Sequence, residues 1–232
     1  MPKSVDMCQQ SRITGYCSRW DFLLKRCTNK TILHLGCIGE TDCAPEEKLE
    51  AFCSGRALHP NLVRVASDVT GVDLNAEAVH LIQTKAGLND LLVGDVEHLE
   101  AINLQRTFQL IIFGDLIEHL SSPGLALDGI RQFMSPDSEL IISTPNAFSL
   151  PANIRYSLGR HREGAEHVAA YSKFTLPAVL ARHGFSVTEL LTCFDRPPQS
   201  WTRRLTFAIG TPVFRMLPER GGTLLAVAKR TI

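Results

Sequence analysis

Thr31-Ile-Leu-His-Leu-Gly-Cys-Ile-Gly39 is a short apolar run that ends in a pair of glycines. Ile32, Leu33 and Leu35 predict a buried strand, and Gly36 and Gly39 predict a tight turn where backbone can approach a ligand. A second apolar run, Val69-Thr-Gly-Val-Asp-Leu74, carries an acid, Asp73, near its end. Doubly wound folds hold nucleosides with such a pair of features. The turn takes the polar end of the ligand near a helix N-terminus, and the carboxylate hydrogen-bonds the ribose hydroxyls. The spacing from Gly36 to Asp73 is nearly twice the ~20 residues of the dinucleotide fingerprint. The excess predicts an inserted loop over 40–56, acidic and broken by Pro45, before a helix over 57–66.

Working outward, the pattern alternates. Residues 75–86 predict a helix stopped by Gly87, and 90–95 a third strand ending on a second acid, Asp95. A fourth strand over 108–115 ends on Asp115, and 123–134 predict a helix. Strands over 140–146, 187–194 and 223–229 follow, with a helix over 174–183. Upstream, residues 1–30 predict a helical leader that packs on the sheet edge or lies over the site. Strands alternating with helices give an α/β fold: a doubly wound, mostly parallel, Rossmann-like sheet in a single domain over 1–232. The closing pair of strands leaves no room for a normal crossover and predicts an antiparallel last strand.

The bulk numbers set limits. The chain has 232 residues, with 44% hydrophobic and 21% charged, ordinary for a globular protein. Lys+Arg and Asp+Glu each total 24, so no global field draws it to nucleic acid. The N-terminal sequence has no apolar signal core, which makes the cytoplasm the expected location. Seven cysteines, six of them in the first quarter, form no CxxC pair and read as reduced thiols.

Five stretches together carry a resemblance. They are Leu33-His-Leu-Gly-Cys-Ile-Gly39, Gly71-Val-Asp-Leu74, Gly94-Asp-Val96, Phe108-Gln-Leu-Ile-Ile-Phe-Gly-Asp-Leu-Ile-Glu-His-Leu120 and Ile141-Ile-Ser-Thr-Pro-Asn146. In this order the chain resembles class I S-adenosylmethionine-dependent methyltransferases over about residues 30–190, in particular the branch with the ubiquinone-biosynthesis O-methyltransferases. Glu166-His167 and Tyr171-Ser172 fit that branch too. The resemblance implies a seven-stranded sheet. It implies that Gly36, Cys37 and Gly39 line the methionine end of S-adenosylmethionine. Asp73, with Leu74 beside it, would hold the ribose, and Asp95 with Val96 the adenine edge. Asp115 would begin the segment bordering the sulfonium. The usual three-glycine turn is reduced here to Gly36 and Gly39, with Glu40 next.

Methyl transfer needs alignment and a deprotonated nucleophile, because the leaving thioether departs neutral. Asp73 and Asp95 sit where strand ends bind ligands; their other reading is capping of the next helix. Asp115, Glu118 and His119 share one face if the segment turns helically, and would then hold a divalent cation such as Mg²⁺ that acidifies a catechol-like hydroxyl. His167 is a fourth ligand or, with His119, the general base. The other reading has Glu118 and His119 orienting the loop. A second insertion, 195–221, sets arginines beside aromatics, which suits a lid, a dimer contact or an anionic membrane surface. Gly210 and Pro212 predict that it splits into two short pieces.

The expected activity is O-methylation of a small or lipid-like metabolite. The rivals are a metal-assisted RNA ribose methyltransferase, an NAD-dependent oxidoreductase and a non-catalytic nucleoside-binding regulator.

Overall fold

The computed structural model describes residues 11–39, 43–160, 164, 166–194 and 201–231, without the side chains of 202–206 and 209. In chain order the elements are β1 (Tyr16–Ser18), α1 (Arg19–Cys27), β2 (Thr31–Leu35), α2 (Pro45–Cys53), α3 (His59–Val65), β3 (Asp68–Asp73), α4 (Ala76–Ala86) and β4 (Leu91–Val93). Then come β5 (Phe108–Gly114), α5 (Pro123–Gly129), β6 (Met134–Pro145), α6 (Leu150–Ser157), α7 (Thr175–Arg182), β7 (Phe185–Phe194), α8 (Trp201–Met216) and β8 (Thr223–Arg230). Short 3-10 turns at Val96–Ala101, Ile117–His119, Ile130–Phe133 and Pro218–Arg220 join them.

One sheet holds all the strands, in the order β1-β7-β8-β6-β5-β2-β3-β4. Every pairing is parallel except those of β8, which runs antiparallel to both β6 and β7. The sheet therefore has eight strands, one more than expected. The extra one is β1, from the leader, added to the outer edge of β7 with Cys17 opposite Cys193. Three residues of half-buried backbone are too short to announce a strand in sequence; the open edge of β7 recruits them.

Burial on both faces explains why the central strands read as continuous apolar runs. Leu33 and Leu35 face a core with Leu127, Ile130 and Leu180. Ile32 faces the other core, with Leu23 and Cys27 of α1 and Leu62 of α3. Parallel registers bring the C-terminal ends of β3, β2, β5 and β6 to one rim, with Leu35 beside Val72 and Phe113, and Phe113 beside Ile142.

Two expectations about the insertions change. Pro45 starts a helix rather than breaking a loop. It occupies the first turn of α2, where no intrahelical N–H is needed, and Glu46 and Glu47 there complement the helix dipole. Phe52 anchors α2 against Ala78, Val79 and Ile82 of α4. Likewise α8 is one helix of 16 residues that runs through Gly210 and Pro212. The Thr211 hydroxyl donates to the Phe207 carbonyl at 2.8 Å, one residue from the carbonyl that Pro212 deprives of its N–H. Leader residues 1–10 and insertion residues 40–42 and 195–200 lie outside the described residues. No helix among the described residues is long and apolar enough to cross a membrane.

Candidate active site

The glycine turn after β2 adopts the backbone its residues predict. Gly36 and Gly39 have φ of 66° and 72°, in the left-handed region. A Cβ on Gly36 would also meet Leu116 at 3.0 Å. Asp73, at the tip of β3, ties this turn down. One carboxylate oxygen accepts from Ile38 N at 2.9 Å and the other from Asn75 N at 3.0 Å. It does not cap α4; Asn75 does, accepting from Ala78 N at 2.9 Å. Each Asp73 oxygen thus keeps acceptor capacity for a further partner. Leu74 beside it is 70% exposed on the rim.

Cys37 turns its side chain inward. Its sulfur lies 2.8 Å from where a Cβ on Gly71 would be, and burial pushes its thiol well above the ordinary range. Cys37 therefore presents backbone, not sulfur, at the turn. Asp95, after β4, accepts from Glu97 N at 2.9 Å and lies 2.8 Å from His98 Nδ1. The His98 hydrogen bond lowers the Asp95 carboxyl and raises the imidazole in return. Here the capping reading is the observed one. Gly94, Asp95, His98 and Ile102 also line a cavity of about 390 Å³, while Val96 is buried behind it.

The segment after β5 departs from expectation. Asp115 has φ +46°, and the 3-10 turn begins only at Ile117. Asp115, Glu118 and His119 therefore do not form one helical face. The Asp115 carboxylate is instead ion-paired with Arg19, the first residue of α1, and accepts from the Ser143 hydroxyl at 3.1 Å. Arg19 also reaches Ser143 Oγ at 3.0 Å. So the leader both packs on the sheet and delivers a cation to the rim. The sequence reading missed Arg19; a polar residue at the head of an apolar leader was its only signal.

Glu118, His119 and His167 do come together. Their donor atoms lie within 4.8 Å of one another. The Glu118 carbonyl accepts from Val168 N at 2.9 Å and Ala169 N at 3.2 Å, which draws the downstream segment alongside. The two imidazoles meet edge to face, centroids 4.8 Å apart. Glu118 is 1% exposed; Oε2 accepts from Thr144 Oγ1 at 2.9 Å, and Oε1 is buried without a hydrogen-bond partner. Burial raises its carboxyl to about 7. His119 Nδ1 is likewise buried without a hydrogen bond, with Glu166 Oε2 at 4.0 Å. A cavity of about 240 Å³ opens beside His167 and Thr144, bounded by α6.

Comparisons with known proteins agree with this geometry. Residues 12–190 match the family model described as a methyltransferase domain. The mitochondrial ubiquinone biosynthesis O-methyltransferase of Schizosaccharomyces pombe is 26% identical over 175 residues, 70% of this chain and 64% of that protein. A putative methyltransferase from Bacillus halodurans superposes with TM-score 0.58 at 14% identity, covering 92% of this chain and 99% of that one. Magnesium protoporphyrin IX methyltransferase from Synechocystis, solved with bound SAH, gives 0.54 at 13% identity, covering 91% and 80%. The chain thus aligns with a little under two thirds of the length of the curated relative. A match over most of the chain, on a sheet whose last strand runs antiparallel to its neighbours, places the protein in the methyltransferase domain family.

Proposed function

We propose that this chain transfers a methyl group from S-adenosylmethionine to an oxygen of a small or lipid-like acceptor. The observation that carries the reading is the Glu118, His119 and His167 cluster, set at a strand-end rim with His167 lining a cavity. The SAH-bound Synechocystis relative and the S. pombe O-methyltransferase support the cofactor and the atom methylated.

Gly36 and Gly39 let the turn approach the methionine end, Asp73 offers its free lone pairs to the ribose, and the cavity beyond β4 suits the adenine. Arg19 and Asp115, locked to Ser143, hold the intervening loop in place. S-adenosylmethionine, when bound, supplies the methyl carbon and keeps the electron pair of the broken carbon–sulfur bond as a neutral thioether. His119 or His167 takes the acceptor's hydroxyl proton, so the oxygen attacks as an anion. With its carboxyl raised to about 7, Glu118 holds or releases a proton near neutrality.

The unpartnered Glu118 Oε1 and the compact donor set also fit a divalent cation. Glu118, His119 and His167 would hold it, and it would acidify the acceptor hydroxyl. Two imidazoles and one carboxylate suit Mn²⁺ or Zn²⁺ better than Mg²⁺. Asp115, spoken for by Arg19, is not part of this set.

Methyl transfer from labelled S-adenosylmethionine to a catechol is the direct test. His119→Ala and His167→Ala should each lower turnover about 10²- to 10⁴-fold. Calorimetry should find their affinity for S-adenosylhomocysteine intact; loss of that affinity in both would assign the imidazoles a structural role.

A further inference from the structure

The inserted helix α2 carries a charge on its inward stripe. Pro45, Lys48, Leu49 and Phe52 fall at helical spacing on that stripe, while Glu46, Glu47 and Glu50 are exposed. Phe52 is buried and Leu49 packs against the same cluster, which includes Cys37 and Ile38 of the glycine turn. Lys48 shares their stripe and is 4% exposed, the only lysine or arginine so buried among the described residues. It is one turn nearer than Phe52 to the end of α2 that the chain reaches from Gly39.

Lys48 is also unpaired. Its side chain forms no hydrogen bond or ion pair among the described residues. Glu50, on the same helix, is spent on Arg56 at 2.8 Å, and the Asp73 oxygens accept from backbone N–H groups. A buried ammonium without a counter-ion is costly, so the partner has to come from outside the protein.

The glycine turn has the complementary lack. Gly36 N and Cys37 N donate to the Val72 carbonyl at 2.9 and 3.3 Å, and Ile38 N to Asp73. Successive N–H groups that could have held an anion are therefore in use. The first turn of α2, another natural place for an anion, bears Glu46 and Glu47, which repel one. Arg19 is ion-paired with Asp115. Yet S-adenosylmethionine brings a carboxylate on the amino-acid tail that this turn is read to receive.

Resting on the methyl-transfer reading, we infer that Lys48 binds the carboxylate of the cofactor's amino-acid tail. It supplies from a side chain the anion contact that the backbone of the turn does not offer. Lysine suits the task, as a compact charge on a flexible stem that can pack along apolar surface and still present its ammonium. Lys48 holds the tail and takes no part in methyl transfer.

Calorimetry on the full chain tests this with S-adenosylhomocysteine and its decarboxylated form, which lacks only the carboxylate. The wild type should bind the first about 10- to 100-fold more tightly, the range of a charge-assisted contact. Lys48→Met should bring that ratio toward one by weakening S-adenosylhomocysteine alone, and Lys48→Arg should keep part of it. A ratio that survives in Lys48→Met would overturn the inference, as would equal weakening of both ligands. Without ligand, Lys48→Met should melt no lower than the wild type, because it replaces an unpaired buried charge with an apolar chain of similar length. A lower melting temperature would show that Lys48 is already partnered within the protein, and would overturn it too. A wild type that binds both ligands equally rejects this inference alone; one that binds neither rejects the methyl-transfer reading beneath it.

Discussion

The molecule contains two pairs of histidines, each beside a carboxylate, and they are built to opposite ends. The inner pair, His34 on β2 and His59 on α3, is 3% and 0% exposed. His59 uses both ring nitrogens: Nδ1 lies 3.2 Å from His34 Nδ1, and Nε2 lies 3.1 Å from Asp90 Oδ2. The rings stack, and the edge of His59 fills the space over Gly71. In the outer pair, His119 and His167, the second lines a cavity, and Glu118 Oε1 and His119 Nδ1 stay unsatisfied. Asp90 also leaves one oxygen over, but both imidazoles of the inner pair are buried and hydrogen-bonded. Residue type is shared between the clusters; what separates them is whether the hydrogen bonds close on the protein or remain available.

The largest effect expected inside this comparison follows from removing His59. His59→Ala opens a cavity and strips Asp90 of its partner, at a cost of about 3 kcal/mol in urea unfolding. Activity per folded molecule should persist, because the outer pair is untouched. Loss of activity without loss of stability would erase the distinction between the clusters.

Acidity sharpens it next, because the two clusters titrate with opposite sign. Glu118 is raised from 4.5 to about 7, so between those values the folded chain binds a proton that the unfolded chain has lost. Stability should therefore fall as pH rises through that window, by on the order of 3 kcal/mol. His34 is held well below 6.5 by burial, next to His59 and Arg19. Below 6.5 the unfolded chain takes up a proton that the folded chain refuses, so stability falls as pH drops. In melting-temperature profiles, Glu118→Gln should remove the loss toward neutral pH, and His34→Gln the loss toward acid. A Glu118→Gln profile that parallels the wild type would show the carboxyl to be ordinary.

The smallest effect concerns the turn that joins the regions. Gly36→Ala forces a left-handed backbone on a residue with a side chain and pushes that side chain against Leu116. A loss of about 1–2 kcal/mol is expected in thermal unfolding, with weakened S-adenosylhomocysteine binding. Unchanged binding would mean that the turn tolerates a Cβ and that backbone approach at Gly36 is not required.

Local chemistry made much of this legible. The run 31–35, the glycines after it, Asp73 at a strand end and the Gly87 stop of α4 are all near-neighbour statements, decided within a turn or a strand. The misreadings have one physical cause. Intrinsic preference disfavours Pro45 within a helix, whereas its place in the first turn of α2 removes the penalty and burial of Phe52 holds that helix. The shared face proposed for Asp115, Glu118 and His119 assumed a helix that the left-handed Asp115 does not begin.

By itself, then, the amino-acid order determined the alternating strands and helices, the glycine turn after β2 and the two carboxylates at strand ends, since each is set by contacts between residues close in the chain. Only the tertiary structure decided that Arg19 meets Asp115 across 96 positions and that His167 rather than Asp115 completes the group with Glu118 and His119. Those pairings depend on strand order and on which segment the Glu118 carbonyl captures, and no local periodicity encodes them.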